Sequence, residues 1–351
     1  MEFVKSLFGP KTKGRTLSFV LVLVAYVIMT VLQSAGSVPR MITSLLVPVC
    51  CYVIAAIGLN MNVGISGELN LGQAGFMSIG GFSAAVVNAL LLQSVQSDIL
   101  RLIICLIVGA LIAGFIGWLI SIPVLKLEGD YLAIVTLAFG QIILSLINNL
   151  YIGLDGKGLH FSFINNTMNL GSDGKIIISG PMGVVNNSTI STFTIGIILI
   201  LISLFIVYNV IFSKEGRAIQ ACRDNKIAAE TVGIHVSHTK TLAFVISSAL
   251  GGLAGALYMM NYSSVAASKF DFNTSILILV YVVLGGLGNM TGTIISTTVL
   301  VLLPEVLRFL SSYRMLVYAI VLILMMLITN NETIKLFFTK LKKKKGADIH
   351  E

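Results

Sequence analysis

One short stretch concentrates glycine, asparagine, glutamate and glutamine in a chain that is otherwise strongly apolar. This stretch, GLNMNVGISGELNLGQAGFMSIGG, covers residues 58–81 and lies between two apolar runs. Non-helical backbone at membrane depth is tolerated only where protein or water surrounds it, and charges at that depth usually mark a functional site. We therefore predict that polar side chains of this stretch line a transport pathway: Asn60, Glu68, Asn70 and Gln73.

A second glycine-interrupted segment, VVLGGLGNMTGT, occupies residues 282–293 and adds Asn289 to the predicted pathway. Paired interruptions in the two halves of a membrane protein indicate a transport route. The alternative is close helix packing through small residues. We expect packing at the GxxxG spacing of Gly251 and Gly255, whereas packing alone does not require Glu68. Glycines at the two interruptions are predicted to be structural: Gly64, Gly67, Gly72, Gly285, Gly286 and Gly288.

The composition indicates a polytopic membrane protein. Of the 351 residues, 56% are hydrophobic and 11% are charged, and the mean hydropathy is +0.96. Soluble domains carry about 25% charged residues, so this chain has too little charge to cover a water-facing surface. The four cysteines have no spacing typical of a metal site or a disulfide framework.

The hydropathy pattern predicts an all-α protein of about ten transmembrane helices, each near the roughly 20 residues that a bilayer requires. Sixteen of the 23 basic residues fall in segments that are inside when both termini are inside. The positive-inside rule therefore favours an N-in, C-in orientation. The predicted spans are 17–34, 41–62, 74–93, 99–125, 131–152, 191–212, 239–260, 275–287, 289–310 and 313–330.

Three regions follow from this pattern: a basic cytoplasmic N-terminus at 1–16, a transmembrane domain at 17–330 and a basic cytoplasmic tail at 331–351. The KLKKKK run of the tail fits contact with anionic lipid headgroups rather than nucleic acid, because no aromatic or base-reading residues accompany it. Two loops exceed the usual length of a connection, the outside loop 153–190 and the inside loop 213–238. The inside loop is predicted to be helical, with Gly233 as a stop, and it is either a docking element or a solvated connector.

No catalytic constellation or metal site is predicted. The segment GPKTKGRT at residues 9–16 has the spacing of a phosphate loop, but Arg15 replaces the required lysine and no strand precedes it. We therefore expect that this chain does not hydrolyse a nucleotide itself.

Four segments resemble the M-type permease subunit of branched-chain amino acid ABC importers. The first and third are the most specific, and together the segments place the resemblance between about residues 40 and 330. They lie at 58–85, 127–149, 215–258 and 276–297.

The resemblance implies a type II ABC importer permease fold in a bacterial cell membrane. It implies a heterodimer with a related H-type permease, two ATPase subunits that use ATP and Mg²⁺, and an external solute-binding protein that would face the loop 153–190. This chain would then bind no cofactor. Residues of the inside loop match the segment that packs into a cleft of the ATPase: Arg223, Asp224, Ala228, Ala229 and Gly233.

The predicted function is import of branched-chain, hydrophobic amino acids, and three alternatives remain. A urea, short-amide or other amino-acid permease would share the same architecture. A stand-alone ion-coupled transporter would require buried carboxylates in several spans, for which only Glu68, Asp130 and Glu305 are candidates. An integral-membrane enzyme is disfavoured because no catalytic constellation is present.

Overall fold

The computed structural model describes most of the chain between residues 13 and 307, together with short helical pieces between 316 and 323. The predicted N-terminal region and the basic tail lie largely or wholly outside the described residues, and so does most of the predicted span 313–330. The described ranges are 13–36, 39–92, 94–127, 129–155, 158–163, 175–185, 187–307, 316–317, 319–320 and 322–323.

Helices dominate the described part of the chain. Eight of its helical segments are long and apolar enough to cross a membrane, and Met290–Val306 is a shorter apolar helix. The α-helices are α1 Lys13–Ser34, α2 Arg40–Asn60, α3 Gln73–Leu91, α4 Asp98–Val124, α5 Asp130–Asn148, α6 Phe193–Phe212, α7 Lys214–Asp224, α8 Lys226–Thr231, α9 Val236–Met259, α10 Phe272–Gly285 and α11 Met290–Val306.

The prediction of an all-α membrane architecture is confirmed, although several helix boundaries differ from the predicted ones. Two of these differences lie at the polar stretch and at the outside loop. The helix that begins with α2 continues through Ser66, so the interruption begins later in the chain than predicted. The predicted span 131–152 ends as a helix at Asn148, and Tyr151 already begins a β-strand. The inside loop forms α7 and α8, which confirms its helical prediction.

A small antiparallel sheet lies in the predicted outside loop and was missed by the sequence analysis. The strands are β1 Tyr151–Asp155, β2 Gly158–Ser162 and β3 Lys175–Ser179, in the order β2-β1-β3. Tyr151 pairs with Ser162 on one side and with Ser179 on the other. The turn sequence DGKG between β1 and β2 is the local signal that favours this hairpin.

Large apolar side chains on the outside of the bundle agree with a lipid environment. Contiguous exposed apolar surface of this extent is rare on soluble proteins. On α4 the exposed positions recur at helical spacing: Ile99, Ile103, Ile107, Leu111, Phe115, Trp118 and Ile122.

The chain divides into two compact units, Met1–Thr297 and Thr298–Glu351. In the first unit α9 packs against α2, α3 and α4. Small residues allow this close approach: an added Cβ on Gly255 would collide with the carbonyl oxygen of Met77, and one on Gly81 would lie 2.9 Å from the carbonyl oxygen of Gly255. Gly255 thus has the packing role expected from its spacing.

The α3–α9 contact predicts that Gly255→Ala lowers the free energy of unfolding by about 1–3 kcal/mol, the usual cost of overpacking. Gly140→Ala is the matched control, because a Cβ there would meet its nearest atom at 3.6 Å, an ordinary contact distance. Unfolding in mixed micelles, followed by helical circular dichroism, measures both variants. Equal losses at the two positions would contradict the packing role.

Candidate functional site

The helix that starts as α2 ends in a wider turn at the centre of the polar stretch. Residues Met61–Ser66 form a π-helical turn, and Gly67 ends it with φ of 77°. Such turns occur frequently at functional sites. The backbone N–H groups of Gly67 and Glu68 both donate to the carbonyl oxygen of Asn62, the latter at 3.2 Å. Residues 67–72 then form a non-helical segment before α3, which we call the α2–α3 interruption.

Side chains supply partners for the peptide groups of the interruption. Asn62 Nδ2 donates to the carbonyl oxygen of Glu68 at 3.3 Å, and the N–H of Leu71 donates to Thr136 Oγ1 at 3.0 Å. Asn70 Oδ1 accepts from the N–H of Gly72 at 2.8 Å. These bonds replace the helical ones that the break removes, as a buried backbone requires.

Asn60 connects the helix before the interruption to the second glycine segment. Its Oδ1 accepts from the N–H of Gly288 at 2.8 Å, and its Nδ2 donates to Thr293 Oγ1 at 2.8 Å. Gly64 packs so closely here that an added Cβ would collide with Asn60 Oδ1 and with Gly288 N. One buried asparagine therefore links the end of α2, just before the π turn, to the α10–α11 turn at 286–289.

Gln73 connects the start of α3 to two neighbouring helices. Its Nε2 lies 3.3 Å from the carbonyl oxygens of Ala55 in α2 and Ser247 in α9. The next residue, Ala74, donates its N–H to Ser275 Oγ at 3.0 Å. This donor is one of the N–H groups at a helix start that lack an intrahelical partner.

Glu68 is the charged residue of the interruption, and it forms an ion pair with Lys240 of α9. The two side chains are 11% and 14% exposed, respectively. Beside this pair, Arg223 Nη1 of α7 donates to the carbonyl oxygen of Gly64 at 2.9 Å. Two basic side chains from the α7–α9 region therefore bind the end of the π turn and the start of the interruption.

The helices α7 and α8, with the residues up to Ile234, form a packed unit, which we call the α7–α8 unit. Ser213 Oγ caps α7 by accepting from the N–H of Gly216 at 3.1 Å, and Asn225 Oδ1 caps α8 by accepting from the N–H of Ala228 at 3.0 Å. Gly233 follows α8 with φ of 85° and donates its N–H to the carbonyl oxygen of Glu230. This geometry confirms the predicted stop at Gly233.

Buried side chains attach the α7–α8 unit to α9. Cys222, Ala229 and Val236 form an apolar cluster, and Ile234 packs against it. Burial raises the pKa of the Cys222 thiol, which suits a packing role rather than a reactive one. Ala229 thus faces inward, while the predicted contact residues Arg223, Asp224 and Ala228 are exposed.

Two apolar side chains of the α7–α8 unit are exposed. Ile227 in α8 and Val232, the residue after α8, are each 75% exposed, in a unit that is otherwise rich in charged residues. Arg223 also binds Asp224 Oδ1 through Nη2 at 3.0 Å, so the guanidinium contacts both a carboxylate and the π turn. The unit therefore combines exposed apolar side chains with a polar contact to the π turn.

The structure brings four of the five predicted pathway residues into buried positions and leaves Asn289 exposed. Asn289 Oδ1 accepts from the N–H of Gly292 at 3.2 Å at the start of α11. Three buried side-chain atoms near the interruption have no hydrogen-bond partner among the described residues: Asn62 Oδ1, Ser66 Oγ and Asn70 Nδ2.

Sequence reasoning missed Lys240, Thr136 and Ser275 as partners of the interruption. Lys240 carries a visible signal, since it is a basic residue inside the first turns of an apolar helix. Thr136 and Ser275 carry none, because hydroxyl side chains are common in membrane helices and their partners lie far away in the chain.

A cavity of about 740 Å³ lies at the end of α3 that is remote from the interruption. Its walls are mostly apolar and come from α3, the sheet and the residues that follow β3. One edge is polar, because Asn88 Nδ2 donates to Asn187 Oδ1 at 2.7 Å and lies 2.9 Å from Ser188 Oγ. Among the described residues, no group of three or more His, Cys, Asp or Glu side chains lies close enough to hold a metal ion.

Comparison with known proteins assigns the family. Residues 41–329 match the family described as the permease component of branched-chain amino acid transport systems. The chain belongs to this family, and with its apolar helices it is a multi-pass membrane protein.

Individual relatives are permeases with different substrates in their names. The chain is 32% identical to the high-affinity branched-chain amino acid transport system permease protein LivM of Escherichia coli, over 98% of this chain and 83% of that protein. It is 25% identical to the permease LivH of Salmonella typhimurium, over 71% of this chain and 79% of that protein. It is 24% identical to the fructose import permease FruG of Bifidobacterium longum, over 79% of this chain and 78% of that protein. No solved structure matches the chain significantly.

The contacts of Asn60 predict that Asn60→Ala lowers the free energy of unfolding by about 1–3 kcal/mol, because it leaves the N–H of Gly288 without its acceptor. Asn149→Ala is the control, since Asn149 is exposed and its side-chain Nδ2 donates to the carbonyl oxygen of Ser145, four residues earlier in the chain. We expect the control to change stability by less than about 0.5 kcal/mol. Thermal unfolding in detergent measures both, and equal stabilities of the two variants would contradict the role of Asn60.

Proposed function

We propose that this chain is one of two related permease subunits of an ABC importer that moves branched-chain amino acids into the cytoplasm. Partner ATPases bind and hydrolyse ATP with Mg²⁺, an external binding protein delivers the solute, and this chain binds no cofactor. The observation that carries the proposal is the polar connection between the α7–α8 unit and the π turn that precedes the α2–α3 interruption, through Arg223 and the carbonyl oxygen of Gly64. The LivM and LivH relatives support a pair of related permeases.

The exposed apolar side chains of the α7–α8 unit fit an ATPase contact. The charge pattern predicts that the α7–α8 unit lies on the cytoplasmic side, where no lipid would cover Ile227 and Val232. An apolar centre with a charged rim is typical of a protein interface. In the proposed mechanism, ATP binding moves the α7–α8 unit. The π turn follows because Arg223 binds the carbonyl oxygen of Gly64, and the α10–α11 turn follows because Asn60, at the end of α2, binds the N–H of Gly288.

The unpartnered polar atoms support a solute route at the interruption. A buried polar group without a partner costs free energy, and water or a passing solute can supply the missing hydrogen bond. Asn62 Oδ1 and Asn70 Nδ2 offer an acceptor and a donor, respectively. A zwitterionic solute requires both an acceptor for its ammonium group and a donor for its carboxylate. In an importer whose binding protein selects the solute, weak contacts of this kind are sufficient.

The substrate class is supported by the relatives and by the cavity of about 740 Å³ at the end of α3. The LivM name specifies branched-chain amino acids, and the apolar walls of the cavity, which include Leu92, Leu154 and Ile177, suit an aliphatic side chain. Urea, a short amide or another amino acid is the alternative substrate within the same architecture.

The ATPase contact predicts that Gly233→Arg abolishes copurification of the ATPases and uptake of the solute. A long side chain beside the exposed α8 surface obstructs docking, and the left-handed backbone at Gly233 strains any residue other than glycine. The measurement is a pull-down of the assembled complex followed by uptake of labelled leucine.

Gly36→Arg is the matched control for this variant. Gly36 also has a positive φ, 67°, and an added Cβ would meet nothing within 4 Å at either glycine. Gly36 lies at the end of α1 that is predicted to be outside, so Gly36→Arg should keep the ATPases bound. Intact copurification with Gly233→Arg would refute the docking role.

Uptake of labelled leucine and labelled urea in cells that carry the full complex tests the substrate class. We expect leucine uptake that depends on ATP and on the binding protein, and no urea uptake above that of cells without the complex. Urea uptake without leucine uptake would assign the chain to the amide permeases instead.

A further inference from the structure

The π turn and the α2–α3 interruption that follows it contact the α7–α9 region through charged side chains at two points. Glu68 pairs with Lys240 of α9, and Arg223 of α7 binds the carbonyl oxygen of Gly64. The stem of Arg223 also packs on the interruption, since a Cβ on Gly67 would lie 2.7 Å from Arg223 Cγ. The interruption is thus in contact with the α7–α8 unit and with the first turns of α9.

A buried ion pair adds little to the free energy of unfolding, but it holds the two segments that carry it in one relative position. Removing two charges from water costs free energy that their attraction only partly offsets, so an apolar pair of similar size often stabilises a protein as well or better. Glu68 and Lys240 are nonetheless mostly buried. Lys240 also reaches the interruption from α9, the helix to which the α7–α8 unit is attached through Val236.

We propose that the Glu68–Lys240 ion pair is a positioning contact that makes the α2–α3 interruption move with the α7–α8 unit during the transport cycle. Glu68 then acts through Lys240 and does not bind the solute directly. Asn60 carries the displacement onward to Gly288 and the α10–α11 turn. This inference rests on the proposed function, because it assigns the contact that couples ATPase binding to the solute route.

The test compares solute uptake with ATP hydrolysis in the complete importer in proteoliposomes. Glu68→Gln and Lys240→Gln should each leave a complex that still hydrolyses ATP, while the amount of leucine taken up per ATP falls roughly tenfold, within the range of measured coupling between sites. The charge-swapped double variant, Glu68→Lys with Lys240→Glu, should recover most of this ratio because it restores the pair. Asp98→Asn is the matched control: it removes the ion pair of Asp98 with Arg101 at the start of α4, outside the interruption, and should leave the ratio unchanged.

Three results would overturn the inference, and a fourth would concern only the proposed substrate. An unchanged ratio in both single variants would show that the pair is dispensable, and failure of the swap to restore the ratio would return Glu68 to a direct contact with solute. Loss of assembly in both single variants would assign the pair to folding. If the wild-type complex takes up urea and no leucine, the proposed substrate is wrong, and the same ratio is then measured with urea.

Discussion

A peptide group that leaves a helix inside a membrane protein must find another hydrogen-bond partner, because hydrocarbon offers none. In this chain the constraint applies to residues 67–72, which separate α2 from α3. The N–H of Leu71 binds Thr136 in α5, Arg223 of α7 binds the π turn just before these residues, and Ser275 of α10 binds the N–H of Ala74 just after them. Three helices from other parts of the chain therefore converge on the interruption and its two ends.

That convergence gives the polar side chains of the stretch distinct positions. Asn60 holds the α10–α11 turn, Gln73 holds α2 and α9, and Glu68 is paired with Lys240. Among the described residues, the same stretch also keeps three buried side-chain atoms without hydrogen-bond partners, which is unusual in a packed interior. In the proposed function these atoms make only weak contacts with a passing solute, since strong fixed contacts would retain it.

The hydropathy pattern predicts the helices well because the thickness of the hydrocarbon core sets their length. Charged side chains are costly inside that core, so they collect in the loops and mark the ends of the helices. The α7 and α8 helices and the stop at Gly233 also follow from local signals, namely caps, alanines and a glycine. The sheet of the outside loop was missed, although the DGKG turn and the KIIIS run favour strands. The predicted span ended at residue 62, whereas the π turn continues the helix through Ser66.

The partners of the polar stretch could not be predicted from the sequence. The pairing of Glu68 with Lys240 depends on how α9 packs against the π turn, and no local pattern encodes that contact. The predicted pathway residues stay a prediction, and the side chains that bind the polar stretch, such as Lys240 and Thr136, come from distant parts of the chain. The spacing of Gly251 and Gly255, in contrast, predicted close packing correctly, since small residues at a four-residue interval have few other uses in a membrane helix.

Pulsed EPR distances in the complete importer test most directly whether the α10–α11 turn moves together with the α7–α8 unit. Spin labels at Glu215→Cys and Leu287→Cys report on the unit and the turn, and labels at Leu287→Cys and Ile99→Cys report on the turn and the start of α4. All three positions are exposed, and the four native cysteines are buried. The account predicts that ATP binding leaves the first distance unchanged and shifts the second. A change in the first distance, or none in the second, would contradict it.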